Sequence, residues 1–226
     1  MEESGVGFGT SGARGLASDM TDLICYAYAR AFLQYLFSLG ELKPDDNVAL
    51  AGDLRESTPR IMAAVGRAIA DSGCRILNCG HIPTPALACC SMKRGIPGIM
   101  VTGSHIPKNR NGIKFYRPGG EILKADEQAI RAISVDIPAF AFDAADMLVE
   151  PFSLPRVVGE AREEYIARYV DFFGEEFLQG LRIGIYQHSS VARDILSEAL
   201  ERLGAETVIL GRSDRFIPVD TEAIRS

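Results

Sequence analysis

A chain of 226 residues, 47% of them hydrophobic and 24% charged, is long enough for one large domain, or for a complete domain and part of another, with a core that needs no disulfide staples. Its formal net charge of −6 argues against nucleic-acid binding, which requires broad basic surface, but leaves room for a small anion held by a local cluster of cations. The five cysteines (Cys25, Cys74, Cys79, Cys89, Cys90) and three histidines (His81, His105, His188) show no zinc-ribbon spacing, so reduced, mostly buried thiols are expected.

The chain opens on Glu2 and Glu3 with no apolar signal-peptide core, which predicts a cytoplasmic protein. Residues 5–15 carry five glycines and read as loop. Ile24, Ala27, Tyr28, Ala31 and Tyr35 recur at helical spacing, predicting a helix over 22–39 closed by Gly40. Arg30 and Gln34 interrupt its apolar face, so it belongs to a core and not to a membrane. Residues 48–51 form a short apolar run, a buried strand ending at Gly52-Asp53. Thr58-Pro59 and Thr84-Pro85 each start a helix, with the hydroxyl as cap and proline in the first turn. Strands at 75–78 and 98–101 alternate with these helices, the pattern of βαβ units. A polar loop at 102–112, a strand at 113–116 and a helix near 126–133 follow. Prolines 138, 151 and 155 mark a linker over about 137–159. A helix at 160–173, a strand at 181–186, a helix at 190–203 and a strand at 207–210 make one further βαβ unit, thin for a domain.

Three loops carry candidate chemistry, two of them at strand ends, where open α/β sheets bind ligands. In Thr102-Gly103-Ser104-His105-Ile106-Pro107-Lys108-Asn109-Arg110-Asn111-Gly112-Ile113-Lys114, Gly103 and Pro107 suit a turn that exposes Ser104. Lys108, Arg110 and Lys114 give a phosphate cations and donors, and His105 and Lys114 can move protons. A serine hydrolase is disfavoured, since no Gly-x-Ser-x-Gly elbow is present. In Phe8-Gly9-Thr10-Ser11-Gly12-Ala13-Arg14-Gly15, the glycines admit backbone N–H groups to an anion that Arg14 can hold bidentately. The third loop is Gly52-Asp53-Leu54-Arg55-Glu56-Ser57. Gln187-His188-Ser189-Ser190 is read as a plain helix cap by one of its serines.

These three segments, in this order, resemble the α-D-phosphohexomutase superfamily of the phosphomannomutase/phosphoglucomutase type. Phe8–Gly15 is similar to its F-G-T-S-G-x-R-G motif, Gly52–Arg55 to its G-x-D-x-R turn, and Thr102–Lys114 to its phosphoserine loop. The resemblance covers about residues 5–135 closely and 160–210 loosely. Ser11 favours the phosphomannomutase/phosphoglucomutase branch over the phosphoglucosamine branch. The expected fold is α/β: a three-layer βαβ-built domain with a mixed sheet (1–136), a linker (137–159) and the start of a second, similar α/β domain (160–226).

The resemblance implies that Ser104 carries a phosphoryl group between hexose 6-phosphate and hexose 1-phosphate, mannose or glucose, through a bisphosphorylated sugar. It implies Mg²⁺ on the Ser104 phosphate, Lys114 as general acid/base assisted by His105, and Arg14 orienting the phosphoserine. Thr10, Ser11, Arg14, Asp53, Arg55, Lys108, Asn109, Arg110 and Asn111 are the candidate phosphate and substrate contacts. Neither nucleic acid nor membrane is an expected partner. Position 106 is Ile where the family commonly has Asn. The family's metal loop D-G-D-G-D-R and its two later sugar- and phosphate-recognition motifs are not found in these residues. The chain is therefore expected to be the N-terminal portion of a four-domain enzyme, poorly active alone, with the other domains supplied by the full-length protein. The alternative is a non-catalytic sugar-phosphate-binding module, or a partner of a separate chain. Arg212, Arg215 and a strand-like run at 216–219 are left without a role.

Overall fold

The computed structural model describes residues 5–9, 12–138 and 141–218. Thr10, Ser11 and Val219 lie outside that set. Strands β1 (Gly7–Phe8), β2 (Gly12–Leu16), β3 (Asn47–Gly52), β4 (Arg75–His81), β5 (Gly98–Val101), β6 (Arg110–Arg117) and β7 (Gly120–Glu121) form one sheet. Its order is β1-β2-β6-β5-β3-β4, with β7 paired to β6. The β3 strand runs parallel to β4 and β5, whereas β6 is antiparallel to both β5 and β2. The sheet is therefore mixed, as expected.

Helices cover both faces. Along β3 the side chains alternate: Val48 and Leu50 join the core under α1 (Asp22–Leu39) and α2 (Thr58–Asp71), while Ala49 and Ala51 face α3 (Thr84–Arg94). Likewise Ile113 and Phe115 of β6 face α1, with Phe32 and Phe115 rings 4.8 Å apart, and Tyr116 faces the other side. Helix α4 (Lys124–Ala132) closes the domain beside α1. Helix α1 begins where the Thr21 hydroxyl accepts from Ile24 N at 3.3 Å and stops at Gly40, whose φ of 71° is free of Cβ cost.

Three local expectations are corrected. The glycine-rich start is not loop throughout: Gly12–Leu16 pairs with β6, Gly12 opposite Lys114. A Cβ on Gly12 would stand 2.1 Å from the Ile113 carbonyl oxygen, so the glycine serves close backbone approach. Thr58 and Thr84 do not cap their helices with their hydroxyls: the Thr58 hydroxyl is drawn instead to Asp53 Oδ1 at 2.6 Å, and Pro83 occupies the cap position before Thr84. Neither Ser189 nor Ser190 caps α6 (Arg193–Arg202); Ala192 occupies that position.

Residues 141–158 hold almost no regular structure, as their prolines dictate, yet they strap the domain tightly. The Asn78 side chain donates to the Pro155 carbonyl at 2.7 Å, and Leu148 N donates to Asp22 Oδ2 at 3.0 Å. A Cβ on Gly66 would meet Leu154 at 2.5 Å. Beyond the strap, α5 (Glu160–Phe173) packs on α3, where Arg94 grips Glu164 bidentately at 2.7 and 2.9 Å. Strands β8 (Arg182–His188) and β9 (Glu206–Arg212) form a separate parallel pair joined through α6. Tyr186 and Leu210 on it are exposed. Residues 216–218 form no strand.

Candidate functional site

The site lies at the C-terminal ends of β3 and β5, where the turn after each strand meets the other. Asp53 is buried there and accepts four hydrogen bonds. Its Oδ1 takes Arg55 N at 3.0 Å and the Thr58 hydroxyl at 2.6 Å; its Oδ2 takes the Thr102 hydroxyl and Gly103 N, both at 3.0 Å. One carboxylate thus ties the start of α2 to the start of the 102–110 loop.

Arg55 completes the tie. Its side chain is 2% exposed. Nη1 donates to the carbonyls of Pro107 (2.9 Å) and Arg110 (3.1 Å), and Nη2 to those of Ser104 (3.3 Å) and Ile106 (2.7 Å). Nε lies 3.3 Å from Asp53 Oδ2. Burial lowers the Arg55 pKa, and Asp53 opposes that shift. The guanidinium lies so close to Gly103 that a Cβ there would stand 2.1 Å from Nε. Glycine at 103 is needed for this contact.

The loop so held presents Ser104 with φ of 53°, a left-handed conformation that costs a non-glycine residue about 1–2 kcal/mol. Its N–H is satisfied by the Thr102 hydroxyl at 3.0 Å. Its own hydroxyl is exposed, 3.3 Å from His105 Nδ1. The effect is a serine hydroxyl lifted clear of a loop whose backbone is pinned from beneath.

Asp53 and Arg55 were anion-contact candidates on sequence; the structure commits both to the loop's interior instead, as positioning groups. Asn111 changes role in the same way. It is fully buried, donates to Ser57 Oγ (2.9 Å) and Thr58 Oγ1 (3.1 Å), and accepts from Gly112 N (2.8 Å). Sequence reasoning missed Thr58 and Thr102 as its co-workers. The pairing of a strand-end Asp with a Thr five residues on was the available signal.

The remaining candidates sit around the loop in two places. Arg14 lies opposite Gly112, and Lys114 opposite Gly12, so both cations project from the same sheet face as diagonal neighbours. Gly112 O accepts from Thr102 N at 2.9 Å, which sets this pair beside the root of the loop. Lys114 Nζ is 3.7 Å from Glu121; the Arg14 guanidinium has no polar partner among the described residues. Lys108 and Asn109 instead line a cavity of about 390 Å³ with Ala17, Glu56, Ser57 and Phe216, and Lys108 pairs with exposed Glu56 at 3.3 Å. Arg110 is half-buried at the end of β6, paired with Leu16. Arg14, Lys108, Arg110 and Lys114 are the cations left to meet an anion.

The Mg²⁺ implied by the resemblance finds no set of protein ligands here. Among the described residues no group of three or more His, Cys, Asp or Glu could hold a metal, and Asp53 has no oxygen to spare. An oxygen carried on the exposed Ser104 would be open to it. No helix among the described residues is long and apolar enough to cross a membrane.

Comparison with known proteins gives the family of the domain that carries this loop. Residues 5–138 match the family model for phosphoglucomutase/phosphomannomutase, alpha/beta/alpha domain I. The chain is 48% identical over 217 residues to a phosphomannomutase of Sinorhizobium fredii, covering 96% of this chain and 45% of that protein. It is 44% identical over 227 residues to a phosphomannomutase of Salmonella muenchen, covering 99% and 44%. A phosphoglucosamine mutase of Pelotomaculum thermopropionicum is 30% identical over 217 residues, 93% of this chain and 46% of that protein. The chain thus spans less than half the length of these relatives. In fold it is similar to a phosphoglucomutase/phosphomannomutase family protein of Burkholderia thailandensis, with a TM-score of 0.69 and 23% identity over 89% of this chain and 43% of that one.

Proposed function

The chain belongs to the phosphoglucomutase/phosphomannomutase family through its domain I, and from that premise we propose that its protein is a hexose phosphate mutase that relays a phosphoryl group through Ser104 Oγ. The reaction interconverts hexose 6-phosphate and hexose 1-phosphate, with mannose or glucose as the sugar. The observation that carries the proposal is the Ser104 hydroxyl itself: exposed, lifted on a left-handed residue, and held on a loop that the buried Asp53–Arg55 pair grips by its backbone and by the Thr102 hydroxyl.

In the first half of the reaction the P–O bond to Ser104 Oγ breaks while a sugar hydroxyl forms the new one. The proton released by that hydroxyl returns to Ser104 Oγ, so the serine ends as an alcohol. His105 Nδ1, 3.3 Å from Oγ, is placed for that exchange, and Lys114 is the candidate base on the sugar side. The second half runs in reverse from the other phosphate of the bisphosphorylated sugar. Arg14, without a polar partner among the described residues, is the candidate to hold the transferring group. Holding the loop rigid matters because phosphoryl transfer relies on positioning and on charge stabilisation more than on covalent chemistry.

The groups that select the sugar and bind metal are assigned by this proposal to sequence or chains beyond these 226 residues. The test is phosphosite mapping of the full-length protein together with its Ser104→Ala variant. Phosphate on Ser104 and loss of mannose 1-phosphate turnover in the variant are expected. A fully active Ser104→Ala enzyme refutes the assignment.

A further inference from the structure

The stretch after β9 had no role on sequence, yet the structure carries it to the underside of the Ser104 loop. Its path is fixed at the end of β8. Ser213 N donates to the His188 carbonyl at 3.0 Å, and Ile217 N donates to Ser189 Oγ at 3.0 Å. The Ser189 hydroxyl in turn lies 3.2 Å from the Ile217 carbonyl. Arg193 Nη1 also holds the Ser213 carbonyl. Between these clamps Phe216 reaches across to the first domain, and its ring centre lies 4.6 Å from Arg55 Cζ. That is stacking distance for a guanidinium on an aromatic face. The same ring forms one wall of the cavity lined by Ser57, Lys108 and Asn109.

Arg55 is the keystone of the loop, and its four hydrogen bonds to the carbonyls of Ser104, Ile106, Pro107 and Arg110 require the guanidinium to keep one plane. A ring stacked on that plane restrains its tilt. It also keeps water from competing for the N–H groups. We propose that Phe216 is a positioning residue for the Ser104 loop: its ring, held by the β8 strand end, stacks on Arg55 and so couples the second α/β unit to the geometry of the phosphoryl-carrying serine. The effect on turnover rests on the mutase reading above; the effect on the loop does not.

An apolar plug would fill the same space without the π face, and this separates stacking from mere coverage. The experiment uses the full-length protein with Phe216→Leu and Phe216→Tyr. Amide hydrogen exchange over residues 102–110 is measured alongside steady-state kinetics. Phe216→Leu is expected to speed exchange in that loop and to lower kcat about fivefold with KM nearly unchanged, and Phe216→Tyr to retain wild-type behaviour in both. Unchanged loop exchange in Phe216→Leu overturns the proposal. So does equal behaviour of the Leu and Tyr variants, or exchange that rises equally throughout β8 and β9, which marks a general loss of structure. If the wild-type protein turns over no hexose phosphate, the mutase reading fails, and loop exchange alone decides the role of Phe216.

Discussion

Gly103→Ala adds a single methyl group, and two effects of opposite sign compete over it. The φ of Gly103 lies outside the left-handed region, so alanine fits the backbone, and loss of unfolded-state entropy favours it by about 0.4–1 kcal/mol. Against this, the new Cβ would stand 2.1, 2.3 and 2.7 Å from Arg55 Nε, Cζ and Nη2. The guanidinium must retreat by about 1 Å to restore van der Waals contact, and hydrogen bonds of 2.7–3.3 Å to four carbonyls do not survive that. At about 1 kcal/mol each, less the entropic gain, the net destabilisation is roughly 3 kcal/mol. Equilibrium urea unfolding of Gly103→Ala, Arg55→Ala and the double variant measures it. In the Arg55→Ala background the guanidinium that the methyl group meets is gone, and the substitution is expected to be neutral or mildly stabilising. A Gly103→Ala cost that is absent, or identical in the two backgrounds, refutes the keystone role of Arg55.

Ser104→Gly is expected to move stability and activity in opposite directions. Relief of the left-handed conformation raises unfolding stability by roughly 0.5–1 kcal/mol, while loss of the hydroxyl abolishes turnover; a destabilised variant would show that the side chain supports the fold. Asp53→Asn turns one of two fully used acceptor oxygens into a donor facing donors and leaves buried Arg55 without its counter-charge. A loss of about 3–5 kcal/mol in urea unfolding is expected, and a loss below about 1 kcal/mol would show that Asp53 is dispensable. Tyr26, whose hydroxyl donates to Asp71 at 3.0 Å, has its pKa raised to about 12, chiefly by burial and then by Asp71. Its contribution is intact below the unfolded value of about 10 and is lost as pH rises toward about 12. Tyr26→Phe should cost about 1 kcal/mol at neutral pH and flatten the fall in urea midpoint between pH 10 and 12; an unchanged alkaline fall would assign it to other groups.

Helices and buried strands were legible because their signals are local. The periodicity of α1 and its Gly40 stop, the apolar run of β5, and the bounds of α5 all appear where the sequence places them. Strand β2 was not legible. Its glycines imitate a loop, and the partner that makes them a strand, β6, is far away in sequence. The same limit applies to the site. Ser104 is a candidate by its neighbours, but Asp53, Arg55 and Asn111 look alike on sequence whether they bind a ligand or a loop. Only the carbonyls around Arg55 and the hydroxyls around Asn111 decide between the two. Thr58 read as a helix cap for a related reason: a hydroxyl at a helix start has two acceptors within reach, and a buried carboxylate outbids its own backbone.

The strand order also sets a timetable for the nascent chain. The contiguous run β3–α2–β4–α3–β5 can form its parallel core as soon as it is made, since β4 and β5 both pair with β3 inside the same run. Strand β2 emerges before all of them but has to wait for β6, because Gly12 pairs with Lys114. Arg55 likewise waits for the carbonyls of residues 104–110. The Ser104 loop is thus among the last parts of the domain to take shape. Ribosomal pausing before β6 is complete would leave a folded core with its Ser104 edge unfinished.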